Sequence, residues 1–451
     1  MLTALTRRLA GDLPELVKDP LGIFTAKSLL PEGVAPLAIG LKRGFLIGDL
    51  GLVRHVLLDN AANYDKRTPA FEAVRVVLGN GLLTSGGPFW KRQRRIAQPA
   101  FHGEKVRRFG PILSRMASDC ADRWERAAAA GEPVDASTDM MEVTLRAVAE
   151  ALFGDDLAAS IAEINRVFPV ILDELASRMV TPLRLPLWFP TRSNRALLPA
   201  RRSLNSVVDG LIAKRRQHLP EIEAKPAHDR DLLSTLMLAK DEETGEPMSD
   251  RQLRDEVMTL LIAGHETTAS GLAWAWYLLD RHPDEQERLR AELTAAIGRR
   301  GPTVDDLPSI PRFRLVINET LRLYPPVWMF DRRALGPDRL GRFTVRRGDL
   351  MIISPYGIHR NPALWSDPET FRPERFEPGR EEQKNKFAFL AFGAGARQCM
   401  GMSFAMMESQ IILGTLLARF RARLWNPADV HPRAVVTLRP DRPILLRLER
   451  V

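Results

Sequence analysis

The stretch Phe392-Gly-Ala-Gly-Ala-Arg-Gln-Cys-Met-Gly401 sets one cysteine, Cys399, among small residues and an arginine, just ahead of an apolar helical run over 402–420. The preceding Phe387-Ala-Phe-Leu-Ala391 reads as an extended approach. Two chemistries compete for such a loop. A Gly-x-Gly turn after a strand can open a dinucleotide site, with phosphate on a helix N-terminus. Alternatively, backbone amides gathered around a cysteine can tune a thiolate bound to iron. The dinucleotide reading needs a third glycine for close helix packing, and Gln398 stands there. It also needs an acidic residue roughly twenty positions on, where the chain offers only arginine around Arg419. It fails on both counts. The thiolate reading gains on each, because Gly395 and Gly401 let backbone approach a flat group. Arg397 is placed to meet an anionic edge bidentately.

The rest of the composition narrows the field. The 451 residues are 45% hydrophobic and 27% charged, as expected of a globular protein with a substantial core. Only two cysteines occur, which excludes a disulfide framework and suits a reducing compartment. Cys120 reads as a small buried hydrophobe. Met1-Leu-Thr-Ala-Leu-Thr-Arg-Arg-Leu9 has no long apolar core and no cleavage-like site, so a cytoplasmic protein without a signal peptide is expected. The net charge is +9, and its basic residues cluster only at Trp90-Lys-Arg-Gln-Arg-Arg95 and Lys105-Val-Arg-Arg108. Such patches can meet nucleic acid, an anionic membrane or an acidic protein. No aromatic-basic platform or recognition module accompanies them, which argues against nucleic acid.

There is no internal repeat, low-complexity tract or obvious linker, so a single domain over 1–451 is expected. Two short apolar runs, 36–40 and 45–47, flank Lys42-Arg-Gly44 and predict a hairpin turning there. From about 104 to 299 apolar residues recur at helical spacing, broken by the proline-rich 182–190 and the polar 241–247. Strand-like runs follow at 343–345 and 350–354. Helices dominate and strands cluster toward the ends, giving a mainly α fold with a smaller β region (α+β). Ser249-Asp-Arg-Gln252 has capping-box form, and the helix it starts runs to Asp280, about 45 Å at ~1.5 Å per residue. Its apolar length invites a membrane reading, but His265-Glu-Thr-Thr268 at its centre favours a helix buried in a protein core.

With these residues in hand, the chain resembles the cytochrome P450 monooxygenases, position for position at Phe392-x-x-Gly395-x-Arg397-x-Cys399-x-Gly401. Ala263-Gly-His-Glu-Thr-Thr268 is similar to that family's oxygen-binding motif, Glu319-Thr-Leu-Arg322 to its Glu-x-x-Arg, Pro373-Glu-Arg-Phe376 to the loop that follows, and Trp90-Lys-Arg-Gln-Arg94 to its Trp-x-x-x-Arg helix. The resemblance runs from about residue 15 to 448. It implies haem b between the long helix and the cysteine loop, with Cys399 as the iron ligand. A thiolate ligand pushes electron density onto iron and favours O–O cleavage.

The resemblance also assigns roles. Gly264 and Thr267 would open the groove for O2, Thr267 would hydrogen-bond its distal oxygen, and Glu266 would pass protons inward. Trp90, Arg94 and Arg397, with Phe392 and Gly401 in the loop, would hold the haem, and Arg332 would contact a propionate, with neighbouring Arg333 a competing choice. Glu319, Arg322 and Arg375 would form a buried triad supporting the cysteine loop, whose loss would be costly. His265 receives no role and His359 a structural one. The substrate pocket would be lined by the 67–88 segment (Phe71, Leu82), the 165–190 region, Ala263, Val327-Trp328-Met329 and Val435-Val436, mostly apolar, which suits a fatty acid, terpenoid or steroid. With no flavin or iron–sulfur domain in the chain, electrons would come from an acidic ferredoxin or flavodoxin with its reductase, docking at Lys91, Arg92, Arg95, Lys105 and Arg108. A monomer without a membrane span is expected. The acid–alcohol pair Glu266-Thr267 weighs against a peroxide-using or non-oxygenating relative and against a haem sensor or carrier.

Overall fold

The chain wraps around one long helix. The computed structural model describes residues 12–39, 42–101, 103–154, 160–180, 185–226, 230–241, 243–380, 382, 384–426 and 429–451. Seven helices frame the site: α1 (Pro69–Leu78), α2 (Gly87–Ala97), α3 (Gly110–Ala130), α4 (Ala136–Phe153), α5 (Asp250–Arg281), α6 (Pro311–Leu323) and α7 (Met402–Arg419). The mainly α architecture with a small β region is the one expected.

Helix α5 starts on the expected capping box: the Ser249 hydroxyl accepts from Gln252 N–H while the Gln252 side chain accepts from Ser249 N–H. Its 32 residues make a rod of about 48 Å. From Thr268 to Leu279 every side is buried, so the helix is enclosed by protein. Helix α4 lies along it, and a Cβ on Gly264 would come within 3.1 Å of Val148 there. Gly264 therefore serves close packing of α4 on α5. Trp274 stacks on Tyr324 at 3.9 Å, just past the end of α6, and Trp124 of α3 tilts onto Trp276 at 5.3 Å.

The main sheet has five strands: β1 (Val34–Ile39), β2 (Lys42–Ile47), β3 (Tyr64–Asp65), β4 (Phe330–Ala334) and β5 (Leu350–Ile353), in spatial order β1-β2-β5-β4-β3. Only β2 and β5 run parallel. All four residues of β5 are buried, as an apolar run without alternation requires of a strand covered on both faces. Lys42-Arg-Gly44 is not the turn of the first hairpin. It pairs with Ala38, Leu37 and Ile39 as strand, and the connection at 40–41 lies outside the described residues. The extended approach at 387–391 is also corrected: Ala388 N–H bonds back to Asn385 in a turn, and no strand forms there. In the proline-rich break, 185–190 is a turn ending at Thr191, which caps the helix Arg192–Gln217; residues 181–184 lie outside the described residues. The polar segment, described at 241 and 243–247, is a tight turn closed by pairing of Lys240 with Pro247.

Candidate active site

Cys399 lies two residues ahead of Gly401, the residue that caps α7. Its N–H bonds the Phe392 carbonyl at 2.8 Å, folding the loop onto itself. The sulfur faces an apolar cavity bounded on the far side by Ala263, Gly264, Thr267 and Thr268 of α5. The loop and the helix centre, far apart in sequence, thus meet across one space. Desolvation by the surrounding protein raises the thiol's pKa although the residue is open to the cavity, while the Gly401 amide and Arg94 pull it down. Binding a metal ion deprotonates such a thiol outright, and the start of the 18-residue α7 favours the resulting anion.

Two of the loop glycines divide their work. A Cβ on Gly401 would meet nothing within 4 Å, so that position stands open beside the sulfur, a cradle for a flat group. Gly395 does not share this role. At φ +68° it lies in the left-handed region, and a Cβ there would sit 2.2 Å from the Leu57 carbonyl. Backbone contact, not a cofactor, demands that glycine.

One edge of the cavity gathers cations. Arg397 lies over the Trp90 ring at 3.6 Å and Arg94 lies 5.9 Å from it, on the same helix α2. Arg94 donates to the Gln398 carbonyl at 3.1 Å. Arg332 faces the same space, whereas Arg333 turns away to pair with Asp65 at 2.7 Å. Successive strand residues point to opposite faces, which settles the geometry between the two. A fourth cation was not anticipated. Lys66 is buried, donates to the Leu83 carbonyl at 3.0 Å, and lies 4.7 Å from the Phe71 ring. A lone lysine in a connecting loop carries no sequence signal.

These charges strain one another. Burial first, then Arg332, Arg397 and Arg94, drive the Lys66 ammonium well below its ordinary range. Arg397 is lowered to about 9 by burial and by Arg332 and Arg94, and Arg332 to about 10 by burial. Asp331 is the buried carboxylate among them, raised by burial to about 6, with one oxygen accepting from Thr68 at 2.8 Å. Four cations against one carboxyl call for an anion, since buried charge must be compensated. A flat group carrying carboxylates at one edge and a metal over Cys399 fits both ends of the cavity.

On the far wall, the Thr267 hydroxyl donates to the Ala263 carbonyl at 2.8 Å, the diversion of helix bonding expected of it. Glu266 does not share the cavity with Thr267. Adjacent helix residues do not face the same way, and the Glu266 carboxylate turns to Arg439, whose Nε donates at 2.9 Å, and to the Thr437 hydroxyl at 2.5 Å. His265 packs on Phe168 at 4.5 Å and bonds the Leu261 carbonyl, away from the cavity. Sequence reasoning also missed Glu408. It is fully buried on α7 beside Thr268, and burial pushes its carboxyl well above the ordinary range.

The supporting triad forms. Arg322 grips Glu319 through Nε at 2.7 Å and Nη2 at 2.8 Å, and Arg375 Nε reaches Glu319 at 3.3 Å, with all three side chains at 0% exposure. His359 joins this triad to the cysteine loop. Its Nδ1 bonds the Arg322 carbonyl at 3.0 Å, and its Nε2 accepts the Leu390 N–H at 2.9 Å. The ring is therefore neutral, with the proton on Nδ1.

Of the expected substrate contacts, Phe71, Leu82, Ala263 and Val327 line the cavity, joined by Leu83, Leu260 and Phe330. Trp328, Met329 and Val435 do not. Trp328 stacks on Phe24 at 5.6 Å and donates to the Val435 carbonyl at 3.0 Å, and Met329 packs into the same cluster outside the cavity. No described residue of the 165–190 region lines it either. Two arginines of the basic patch are engaged within the fold. Arg95 pairs with Asp241 at 2.9 Å and Glu243 at 2.8 Å, and Arg92 lies 3.4 Å from Asp241, so both arginines brace the 241–246 turn.

A cysteine loop facing a long helix, with cations at one edge, fits the expectation of a haem-thiolate protein. Comparison with known families matches residues 32–447 to "Cytochrome P450". Cyclooctatin synthase of Streptomyces melanosporofaciens is 35% identical over 95% of this chain and 91% of its own length. Cyclooctat-9-en-7-ol 5-monooxygenase of the same organism is 36% identical over 92% of this chain and 88% of its own. Pentalenene oxygenase of Streptomyces avermitilis is 30% identical over 97% and 94%. The chain belongs to the cytochrome P450 family, and it is an oxidoreductase of the monooxygenase type with an iron haem cofactor.

Proposed function

We propose that the protein, as a cytoplasmic monomer and one catalytic domain, hydroxylates a lipophilic substrate of the terpenoid class with O2 and two electrons from a separate acidic ferredoxin or flavodoxin and its reductase. The observation that carries this reading is the placement of Cys399 and Thr267 on opposite walls of one apolar cavity. Haem b, when bound, would supply the iron at which O2 is activated. Cys399 would ligate it, while Trp90, Arg94, Arg332, Arg397 and Lys66 would hold its carboxylates.

The chain's own groups do the rest. Thr267 keeps a hydroxyl proton at the cavity wall, available to the oxygen-binding side once it leaves Ala263. Glu266 stands behind it, tied to the partly exposed Arg439, so a side-chain rotation would carry a proton from the surface toward Thr267. The acid–alcohol pair supports oxygen activation over peroxide use or simple haem carriage. The lining of Phe71, Leu82, Leu83, Leu260 and Val327 excludes water and suits a hydrocarbon. Two relatives are named for pentalenene and cyclooctat-9-en-7-ol, both ring alkenes bearing at most a hydroxyl. Among the described helices, none is long and apolar enough to cross a membrane.

For the electron donor, the concavity on the outer side of the cysteine loop is the favoured seat. It is lined by Gly393–Gly395, Gln398 and Met402, and rimmed by Arg107, Arg314 and Lys386. It approaches the sulfur-bearing loop closely, and its cations would meet acidic residues. The test is incubation with pentalenene or cyclooctat-9-en-7-ol, NADPH, ferredoxin, reductase and labelled O2. One labelled oxygen in the product is expected. Unlabelled product, or NADPH consumption no faster than without the protein, would overturn the reading.

A further inference from the structure

The segment Gly79–Ser85, which brings Leu82 and Leu83 into the cavity wall, is pinned at nearly every peptide, and its pins on α5 are two carboxylates with no assigned role. The Leu82 N–H donates to Glu256 at 2.9 Å and the Asn80 N–H to Asp255 at 2.7 Å. Two glycines bring the strap flush against α5. A Cβ on Gly79 would lie 2.1 Å from the Asp255 carboxylate, and one on Gly81 would lie 2.4 Å from the Thr259 hydroxyl and 2.5 Å from the Asp255 carbonyl. On its other edge the strap offers carbonyls. Leu82 O accepts from Arg397 at 3.4 Å, Leu83 O from Lys66 at 3.0 Å, Ser85 O from Arg397 at 2.9 Å, and Thr84 O from Arg75.

We propose that Glu256, with Asp255 beside it, is a positioning residue for substrate selection: by holding the Leu82 amide it fixes Leu82 and Leu83 between α5 and the cations at the haem edge, and so sets the shape of the substrate-facing wall. This rests on the monooxygenase reading above. Glu256 is only 1% exposed, an expensive place for a carboxyl that only caps a loop. Burial, with Asp255 adding repulsion, lifts it to about 8. Either protonation state leaves an oxygen to accept the Leu82 amide, so the pin holds across neutral pH. Leu82 and Leu83 are apolar side chains on a strap without helix or strand bonding, whose own turn bonds, from the Thr84 and Ser85 N–H to the Gly81 carbonyl, bypass the Leu82 amide and give it little rigidity. Asp255 and Glu256 lend it that of α5.

The test uses the haem-loaded protein and two probes that ligate haem iron. Imidazole is small, and 4-phenylimidazole carries a ring that must pass the wall. Variants are Glu256→Gln, which keeps an acceptor oxygen, Glu256→Asp, which keeps the charge but shortens the reach, and Glu256→Ala. Imidazole affinity should stay within about twofold in all four proteins. The 4-phenylimidazole dissociation constant should change about tenfold in Glu256→Ala and Glu256→Asp, and Glu256→Gln should match the wild type. Amide exchange in the 79–85 peptide should quicken at least tenfold in the same two variants, a readout that needs no probe. An unchanged affinity ratio and unchanged exchange in Glu256→Asp and Glu256→Ala would overturn the proposal. Absence of imidazole binding in the wild type would instead strike the haem-protein reading itself.

Discussion

Removing Glu319 tests the idea that a buried charge network holds the cysteine loop. Arg322 has one carboxylate partner in the described contacts, Glu319; its other acceptors are the carbonyls of His359, Pro368 and Thr370. Arg375 keeps a second carboxylate, Glu382, at 3.4 Å. In Glu319→Leu, Arg322 becomes a fully buried guanidinium with no counter-charge, a loss of about 3–5 kcal/mol. An unfolding entropy near ~2.1 cal/mol/K per residue gives about 0.95 kcal/mol/K for 451 residues, so Tm should fall by about 3–5 °C. Thermal unfolding followed by circular dichroism measures this. Arg322→Met should cost a similar amount, because Glu319 is then left with only Arg375 and the Arg372 amide. The double variant should lose less than the sum of the two by at least about 1 kcal/mol, since neither charge is then stranded. Because His359 ties the Arg322 carbonyl to Leu390, haem retention should drop in parallel. Single variants within about 1 °C of the wild type, or strict additivity, would refute the argument.

Four further outcomes follow from the same geometry. Cys399→His should abolish the carbon monoxide band that marks thiolate ligation; a variant retaining it would remove Cys399 as the ligand. Thr267→Ala should bind haem and substrate normally yet uncouple turnover, with NADPH consumed, product lower and peroxide higher; full coupling would end the role given to its hydroxyl. Charge reversal at Arg314 and Lys386 should slow electron delivery from an acidic ferredoxin and flatten its dependence on ionic strength, whereas reversal at Arg92 and Arg95 should chiefly destabilise the 241–246 turn; the opposite pattern would return the donor to α2. His359 is held neutral by burial, its pKa lowered to about 3 from 6.5. The native state then binds fewer protons than the unfolded one between those values, so stability is lost as pH falls from about 6.5 toward 3, at up to ~1.4 kcal/mol per unit. His359→Gln should flatten that acid limb in denaturant titrations, and an unchanged limb would contradict the assignment.

Much of this was legible along the chain because the decisive chemistry is local. The cysteine loop, the capping box at Ser249, the helix to residue 281 and the Glu319–Arg322 spacing each lie within a few turns of backbone, so residue type and period carry them. The 392–401 loop alone separated thiolate from phosphate chemistry. Facing was not legible. Glu266 and Thr267 are neighbours in sequence and turn to different partners, because successive helix positions differ by about 100° and only the β-hairpin bearing Arg439 decides which one is claimed. Lys66 and Glu256 look like ordinary surface charges until the fold buries them, one among the cavity's arginines and one under the strap. Arg92 and Arg95 look free until the 241–246 turn, about 150 residues away, supplies their carboxylates. Gly395 suits either a cofactor or a backbone contact, and only the approach of Leu57 chooses. Sequence wrote the chemistry within each segment. Tertiary structure decided which face each residue shows, because burial, counter-charge and close approach are properties of neighbours that the chain brings together only on folding.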